Sequence, residues 1–200
     1  MGQAESPEPE PARPAGLPRW LAIALGPVVG VVLIPAVHAG IPWALSHLGP
    51  RYGWADGAPA GWILLGLAPL AVGAAVLVWV TAYGFTQIQN VPAWVPIDYS
   101  NPAFLMTGGP YAVSRHPVYI GELALWVGVA VLFGSPAALA GSAVMLAVMR
   151  RLVAREEAGL AAAFGGAYRR SMARVPQWVG LPRRTEPDDE PGAPTDRGRR

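Results

Sequence analysis

Between residues 109 and 122 the chain reads GPYAVSRHPVYIGE, which brings Tyr111, Arg115, His116, Tyr119 and Glu122 into one short stretch of an otherwise apolar sequence. Forty residues after Arg115, a second polar patch holds Arg155, Glu156 and Glu157. An arginine can clamp a carboxylate with two parallel N–H donors. Pro117 suits the first position of a helix, so the segment ending in His116 abuts a helix N-terminus. Free backbone N–H groups and a partial positive charge there favour an anion. Gly121, one turn further in, admits either a flat ligand or a closely packed helix. From the second patch, a carboxylate can accept hydrogen bonds from ribose hydroxyls or balance a cationic centre. Neighbours on a helix point about 100° apart, so one of Glu156 and Glu157 faces a cleft and the other meets solvent or an Arg.

Each cluster also has a plainer reading, and taken singly the plainer one is stronger. An Arg and a His before an apolar helix are interfacial anchors, Tyr111 and Tyr119 are aromatic-belt residues, and REE runs are common on solvated helix ends. His38 and His47 suit packed or interfacial positions. Glu122 resists this treatment: it falls inside an apolar helix, where an ionisable group faces the bundle or a wet cavity unless it reaches back to the interface.

The elements that must position these residues follow from composition. Of the 200 residues, 52% are hydrophobic and 14% charged, against the quarter expected of a soluble domain. Several apolar runs approach or exceed the roughly 20 residues needed to cross a bilayer. The expected fold is all-α, a polytopic membrane protein of about four transmembrane helices with a cytoplasmic C-terminal helix. The spans are Trp20 to about Leu45 with Pro27, Pro35 and Pro42 as kinks, 61–85, Pro117 to Gly134, and a helix from Pro136 that stays apolar to Met149. The first run is too long for a signal-peptide core. GSP at 134–136 is a tight break that folds the last two spans into a hairpin and brings the two polar patches together. Residues 1–18 and 181–200 are Pro-, Glu-, Asp- and Arg-rich and are expected to be disordered tails, leaving 19–180 as one domain.

With four spans and both ends in the cytoplasm, only Arg51 of the fifteen Arg lies outside, which satisfies the positive-inside rule. All basic residues are Arg, and Ala, Gly and Pro abound, as in a GC-rich genome; the expected home is a bacterial inner (plasma) membrane. A net charge of +2 gives no reason to expect nucleic acid. There is no Cys, and the three His have no metal-ligand spacing, so neither thiolate chemistry nor a protein metal site is expected. Membrane lipids and a lipid-like small molecule are the expected partners.

LMTGGPYAVSRHPVYIGELALWVG, followed by REEAGLAAAFGGAYRRSMARVPQW, resembles the isoprenylcysteine carboxyl methyltransferase and phospholipid methyltransferase group of membrane enzymes. The resemblance rests on a G-P-Y-x-x-x-R-H-P-x-Y-x-G signature, then E-E-x-x-L-x-x-x-F-G-x-x-Y and a closing V-P, over about residues 102–178. It implies S-adenosyl-L-methionine as cofactor, held between the two blocks. Tyr111, Arg115, His116, Pro117, Tyr119 and Gly121 form the first half of the implied site, and Glu156, Glu157, Phe164 and Tyr168 the second. His116 and Glu157 are the candidate catalytic pair; Glu122 and Arg155 are candidates for the acceptor side. Ser171 stands where the group often has a second Tyr, Gln177 where it often has Arg after V-P, and Glu122 where an apolar residue is expected.

The function so implied is methyl transfer to a carboxyl, amine or hydroxyl of a lipid-borne or isoprenoid acceptor. Two rivals stand beside it. A membrane reductase of the sterol-reductase type would need phosphate recognition, for which Arg115 and Arg150–Arg151 are the main candidates, and the chain has no dinucleotide glycine fingerprint. A non-catalytic membrane protein would keep the signature only as scaffold.

Overall fold

A computed structural model describes residues 19–90 and 105–180. The two tails, and the opening residues 102–104 of the signature region, lie outside the described residues. Helix α1 (Arg19–Pro27) continues through a π-helical segment (Val28–Leu33) into α2 (Ile34–Leu45). Of the prolines expected as kinks, Pro27 and Pro35 flank the π-helical segment and Pro42 lies inside α2. A proline ring clashes with the carbonyl four residues earlier, and the wider i→i+5 winding between Pro27 and Pro35 relieves that crowding.

The loop that follows holds a two-stranded hairpin, β1 (Trp54–Ala55) and β2 (Ala58–Pro59), a small exception to the all-α expectation. Its turn residues Asp56 and Gly57 have φ of 49° and 78°, the two positive values a type I′ turn requires. A 3₁₀ turn (Gly61–Gly66) leads into α3 (Leu67–Asn90). Another short 3₁₀ turn (Gly109–Ala112) precedes α4 (Pro117–Leu132), and α5 runs Pro136–Arg174.

Three continuous helical stretches are long and apolar enough to cross a membrane: Trp20–Leu45, Gly61–Asn90 and Pro136–Arg174. With 16 residues, α4 is shorter, about 24 Å at 1.5 Å per residue. It is nonetheless central, with Leu125, Trp126, Val129 and Ala130 buried and with α2, α3 and α5 around it.

Its closest partner is α3, and glycines set the approach. A Cβ on Gly73 would meet the Gly121 carbonyl at 2.7 Å, and one on Gly66 the Gly128 carbonyl at 2.6 Å. Gly66, the last residue of the 3₁₀ turn, and Gly73 of α3 are seven residues apart, as are Gly121 and Gly128 of α4, so the pairs match when the two stretches run in opposite directions. Small residues let helix backbones come this close in a membrane, where no hydrophobic drive separates helix from lipid.

Between α4 and α5 the chain turns at Gly134, with φ of 55°. Ser135 caps α5 by accepting from the Ala138 N–H at 3.2 Å. The final cytoplasmic helix expected from the sequence is a continuation of α5, bent at Gly165, whose φ of 50° and ψ of −118° leave the helical region.

Candidate functional site

The loop before α4 is tied to the segment after α5 by backbone. Arg115 donates its N–H to the Pro176 carbonyl at 3.0 Å, and the Ser114 hydroxyl donates to the Gln177 carbonyl at 3.3 Å. The same hydroxyl accepts from the His116 N–H at 3.0 Å. His116 therefore leaves the helix path as N-cap, with φ of −131° and ψ of 57°, and Pro117 opens α4. These bonds fix Arg115 and His116 before either side chain makes a contact.

On α5, Met149 and Val153 are buried, and the next position at four-residue spacing on that face is Glu157. Glu157 consequently points inward. Its Oε1 lies 2.8 Å from Arg115 Nη1 and 3.0 Å from His116 Nε2, while its Oε2 accepts from Gln177 Nε2 at 3.1 Å. Glu156, one position back, turns outward: its side chain is 47% exposed against 18% for Glu157. Its Oε2 stands 3.7 Å from His116 Nδ1, beyond hydrogen-bond reach. The His116 proton that meets Glu157 belongs on Nε2.

Donors outnumber acceptors here. Arg115 Nη1 is held in its ion pair with Glu157, off the N–H axis, while Nε of Arg115 is buried without a hydrogen-bond partner and the Tyr168 hydroxyl sits beside the same guanidinium. Tyr168 lies past the Gly165 bend, and its hydroxyl feels the charges of Arg115 and Glu157. Unpaired buried donors are costly, about 1–3 kcal/mol each and more when charged. Arg115 Nε, with the Tyr168 hydroxyl beside it, marks a place for an anionic or oxygen-rich ligand.

Aromatic rings surround the cluster. Tyr119 and Trp178 lie 5.9 and 6.3 Å from the His116 ring, both tilted. Tyr111 lies 6.2 Å from Tyr83 of α3. Burial pushes the Tyr111 phenol up to about 12, with Glu156 and then Tyr83 adding to it; Tyr111 is thus a neutral donor at any physiological pH.

The structure gathers Arg115, His116, Pro117, Glu157, Tyr119 and Tyr168 at one place, with Glu156 at its rim. Other candidate residues lie apart. Gly121 faces Leu77 and the Gly73 backbone, so of its two sequence readings the helix-packing one holds. Glu122 is buried against His38 of α2, with Oε1 at 3.5 Å from Nε2. Arg155 is exposed on α5, and Phe164 is half-buried just before the Gly165 bend. Ser114, Gln177, Trp178 and Tyr83 were missed as site residues. Gln177 drew attention only as a departure from the signature, yet it completes the shell around Glu157.

No curated protein and no solved structure matches the chain. The family model for phospholipid methyltransferase matches residues 62–167, from the start of the 3₁₀ turn before α3 to the Gly165 bend. That stretch contains the glycine-packed pair α3 and α4, the Arg115–His116 loop and the paired glutamates, and leaves α1 and α2 outside it. The chain belongs to the phospholipid methyltransferase family.

Proposed function

We propose that this protein is an integral-membrane methyltransferase that uses S-adenosyl-L-methionine and modifies an acceptor carried by a lipid or isoprenoid. The observation that carries this reading is the surplus of buried donors at Arg115 and Tyr168 beside the Glu157 carboxylate. Beside His116, the cluster brings together one guanidinium, Arg115, and two carboxyl groups, Glu156 and Glu157. S-adenosylmethionine carries the complementary set, one carboxylate and two positive centres. Arg115 would take the carboxylate through its unpaired N–H groups, and Glu157 the positive or hydroxyl-bearing part. Tyr119, Trp178 and Tyr168 offer ring faces for the nucleoside and for a sulfonium.

The bound cofactor supplies an electrophilic methyl group on sulfur, and the chemistry at that carbon is an in-line displacement. What the chain contributes is alignment and dryness. Fixing two reactants in near-attack geometry can supply on the order of 7–11 kcal/mol of the barrier. His116 and Gln177 hold Glu157 in one orientation, from opposite oxygens. When the acceptor is an amine or hydroxyl, the half-exposed Glu156 is placed to accept the proton and pass it to water.

In the topology that goes with this function, the chain crosses the bilayer four times, α4 included, with the Arg115 loop on the cytoplasmic side and both termini there. A water-soluble donor then enters from the cytoplasm and an apolar acceptor from the bilayer. Binding of labelled S-adenosylmethionine to purified protein tests the reading. Wild type should bind, while Arg115→Ala and Glu157→Ala each lose on the order of ten- to a hundredfold in affinity, as expected for hydrogen bonds to charged groups. Equal, undetectable binding in all three would reject it.

A further inference from the structure

The backbone, rather than a side chain, brings position 177 to the polar cluster. Arg115 donates its N–H to the Pro176 carbonyl at 3.0 Å, and the Ser114 hydroxyl donates to the Gln177 carbonyl at 3.3 Å. Trp178, the next residue, has its ring 6.3 Å from that of His116. The segment is thus held against the cluster by bonds that any residue at 177 can make. In this chain the residue is a glutamine, and its Nε2 donates to Glu157 Oε2 at 3.1 Å. The other oxygen, Oε1, is already met by Arg115 Nη1 at 2.8 Å and His116 Nε2 at 3.0 Å.

What distinguishes the position is a charge that is not there. Gln177 stands where the group that this chain resembles often has Arg. Either side chain can donate to a carboxyl oxygen, but only the amide does so without bringing a positive charge. Among the described residues, Arg115 is the only guanidinium in an ion pair with Glu157. Arg155, Arg169 and Arg170 of α5 are exposed. The fixed positive charge of the cluster is therefore a single guanidinium on the Oε1 side, and the Oε2 side has a neutral donor.

We propose that Gln177 is a specificity-determining residue for the charge of the bound nucleoside: by meeting Glu157 with a neutral donor, it lets the site hold the sulfonium form more tightly than the thioether left after methyl transfer. The inference rests on the methyltransferase reading for the identity of the ligand. In the transfer the S–CH3 bond breaks and its electron pair stays on sulfur, while a lone pair of the acceptor makes the new bond to carbon. The nucleoside so loses one methyl group and one positive charge. Its carboxylate, ammonium and sugar are unchanged, so Arg115 serves both forms alike. Discrimination between them has to come from the fixed charges near the sulfur. A second cation on Glu157 would repel the sulfonium and leave the neutral thioether almost untouched. At an effective dielectric constant of about 20 and a separation of roughly 8 Å, that repulsion weakens binding by on the order of tenfold or more. A glutamine keeps the hydrogen bond and omits the repulsion, which favours exchange of the spent nucleoside for a fresh one.

The test uses the full chain in lipid nanodiscs and two stable ligands, each measured by calorimetry. Sinefungin carries an amine, positive at neutral pH, in place of the methylated sulfur; S-adenosylhomocysteine carries the neutral thioether. The quantity read is the ratio of their dissociation constants, which a purely structural defect leaves alone because it weakens both together. Wild type should bind sinefungin more tightly. Gln177→Arg should lower that preference about tenfold, and Gln177→Lys, which repeats the charge in a different shape, should do the same. Gln177→Met, neutral and without a donor, should weaken both ligands and leave the ratio within about twofold. Val179→Arg adds a cation two residues on, at a position 76% exposed, where solvent screens it, and should leave the ratio unchanged. A wild-type ratio near one, a ratio indifferent to both Gln177→Arg and Gln177→Lys, or an equal loss of preference in Gln177→Met would overturn the proposal. Wild type that binds neither ligand would remove the methyltransferase reading itself, whereas binding of both with no response to charge at 177 would remove this inference alone.

Discussion

Two histidines in this chain meet glutamates, and the two meetings are built on opposite principles. In α2, His38 accepts the Trp126 indole N–H on Nδ1 at 3.1 Å and presents Nε2 to Glu122 at 3.5 Å. Before α4, His116 shares the Glu157 carboxylate with Arg115 and Gln177, and N–H and O–H groups of Arg115 and Tyr168 are left over. Among the described residues, every buried side-chain polar atom without a partner belongs to the second group. The first ties the N-terminal helix to α4 through the Trp126–His38 hydrogen bond, with Glu122 at ion-pair distance; the second keeps a donor without a partner in a dry place. A matched cluster stabilises, and an unmatched one waits for a ligand. A buried Glu inside an apolar helix is not by itself a sign of catalysis, because its partners decide.

The largest effects that would break this contrast fall on the unmatched cluster. Arg115→Ala leaves Glu157 with His116 and Gln177 alone, and removing one member of a buried ion pair costs about 3–5 kcal/mol. That variant should lose both cofactor affinity and thermal stability, whereas Tyr168→Phe, which deletes one unpaired hydroxyl, should lose affinity by roughly tenfold and keep or gain stability. Denaturation in detergent, followed alongside S-adenosylhomocysteine binding, separates the two.

Changes in the matched cluster should do the reverse. Trp126→Phe and His38→Ala each remove a buried hydrogen-bond partner and should cost about 1–3 kcal/mol of stability, with cofactor affinity unaltered. Loss of cofactor binding in Trp126→Phe at unchanged stability would end the distinction drawn between the clusters.

A third test bears on the helix pair that carries both. Gly73→Ala drives a methyl toward the Gly121 carbonyl at 2.7 Å and should destabilise by about 1–3 kcal/mol. Gly84→Ala, on the same helix with open space around its Cβ, should be neutral within about 0.5 kcal/mol or slightly stabilising.

The smallest effect concerns pH. A buried phenol whose pKa is about 12 when folded, against roughly 10 in an unfolded chain, holds its proton longer folded than unfolded. Its contribution to stability is therefore intact below about pH 10 and lost as pH rises toward 12. Tyr111→Phe should flatten the fall in melting temperature across that window and leave the curve at neutral pH unchanged in slope.

Much of the site was legible because its residues are chemically unusual for their surroundings. Arg115 and His116 stand immediately before a proline suited to the first position of a helix, and the glutamate pair follows Arg155 at the polar end of the last apolar run. The break at Gly134–Ser135–Pro136 joins α4 to α5 and so brings the two patches into contact. Which glutamate faces inward was not legible, since it depends on the phase of α5 as set by Met149 and Val153 in the packed structure. The partnership of Glu122 was equally hidden. It needs the π-helical segment to set the rotation of α2, and winding of that kind leaves no simple residue pattern. The glycine pairs of α3 and α4 did leave one, a seven-residue spacing on both helices, and it becomes readable once the two are known to be neighbours. Gln177 contributes through a segment folded back over the site by backbone bonds at Pro176 and Gln177, which residue types do not encode.

The most direct measurement of the central claim is a density map of the full chain in lipid with S-adenosylhomocysteine added. The account predicts a nucleoside bounded by Arg115, Glu157 and Tyr168, with its carboxylate on the guanidinium. Density for the ligand elsewhere, or Arg115 and Glu157 turned apart into lipid or bulk water, would contradict it.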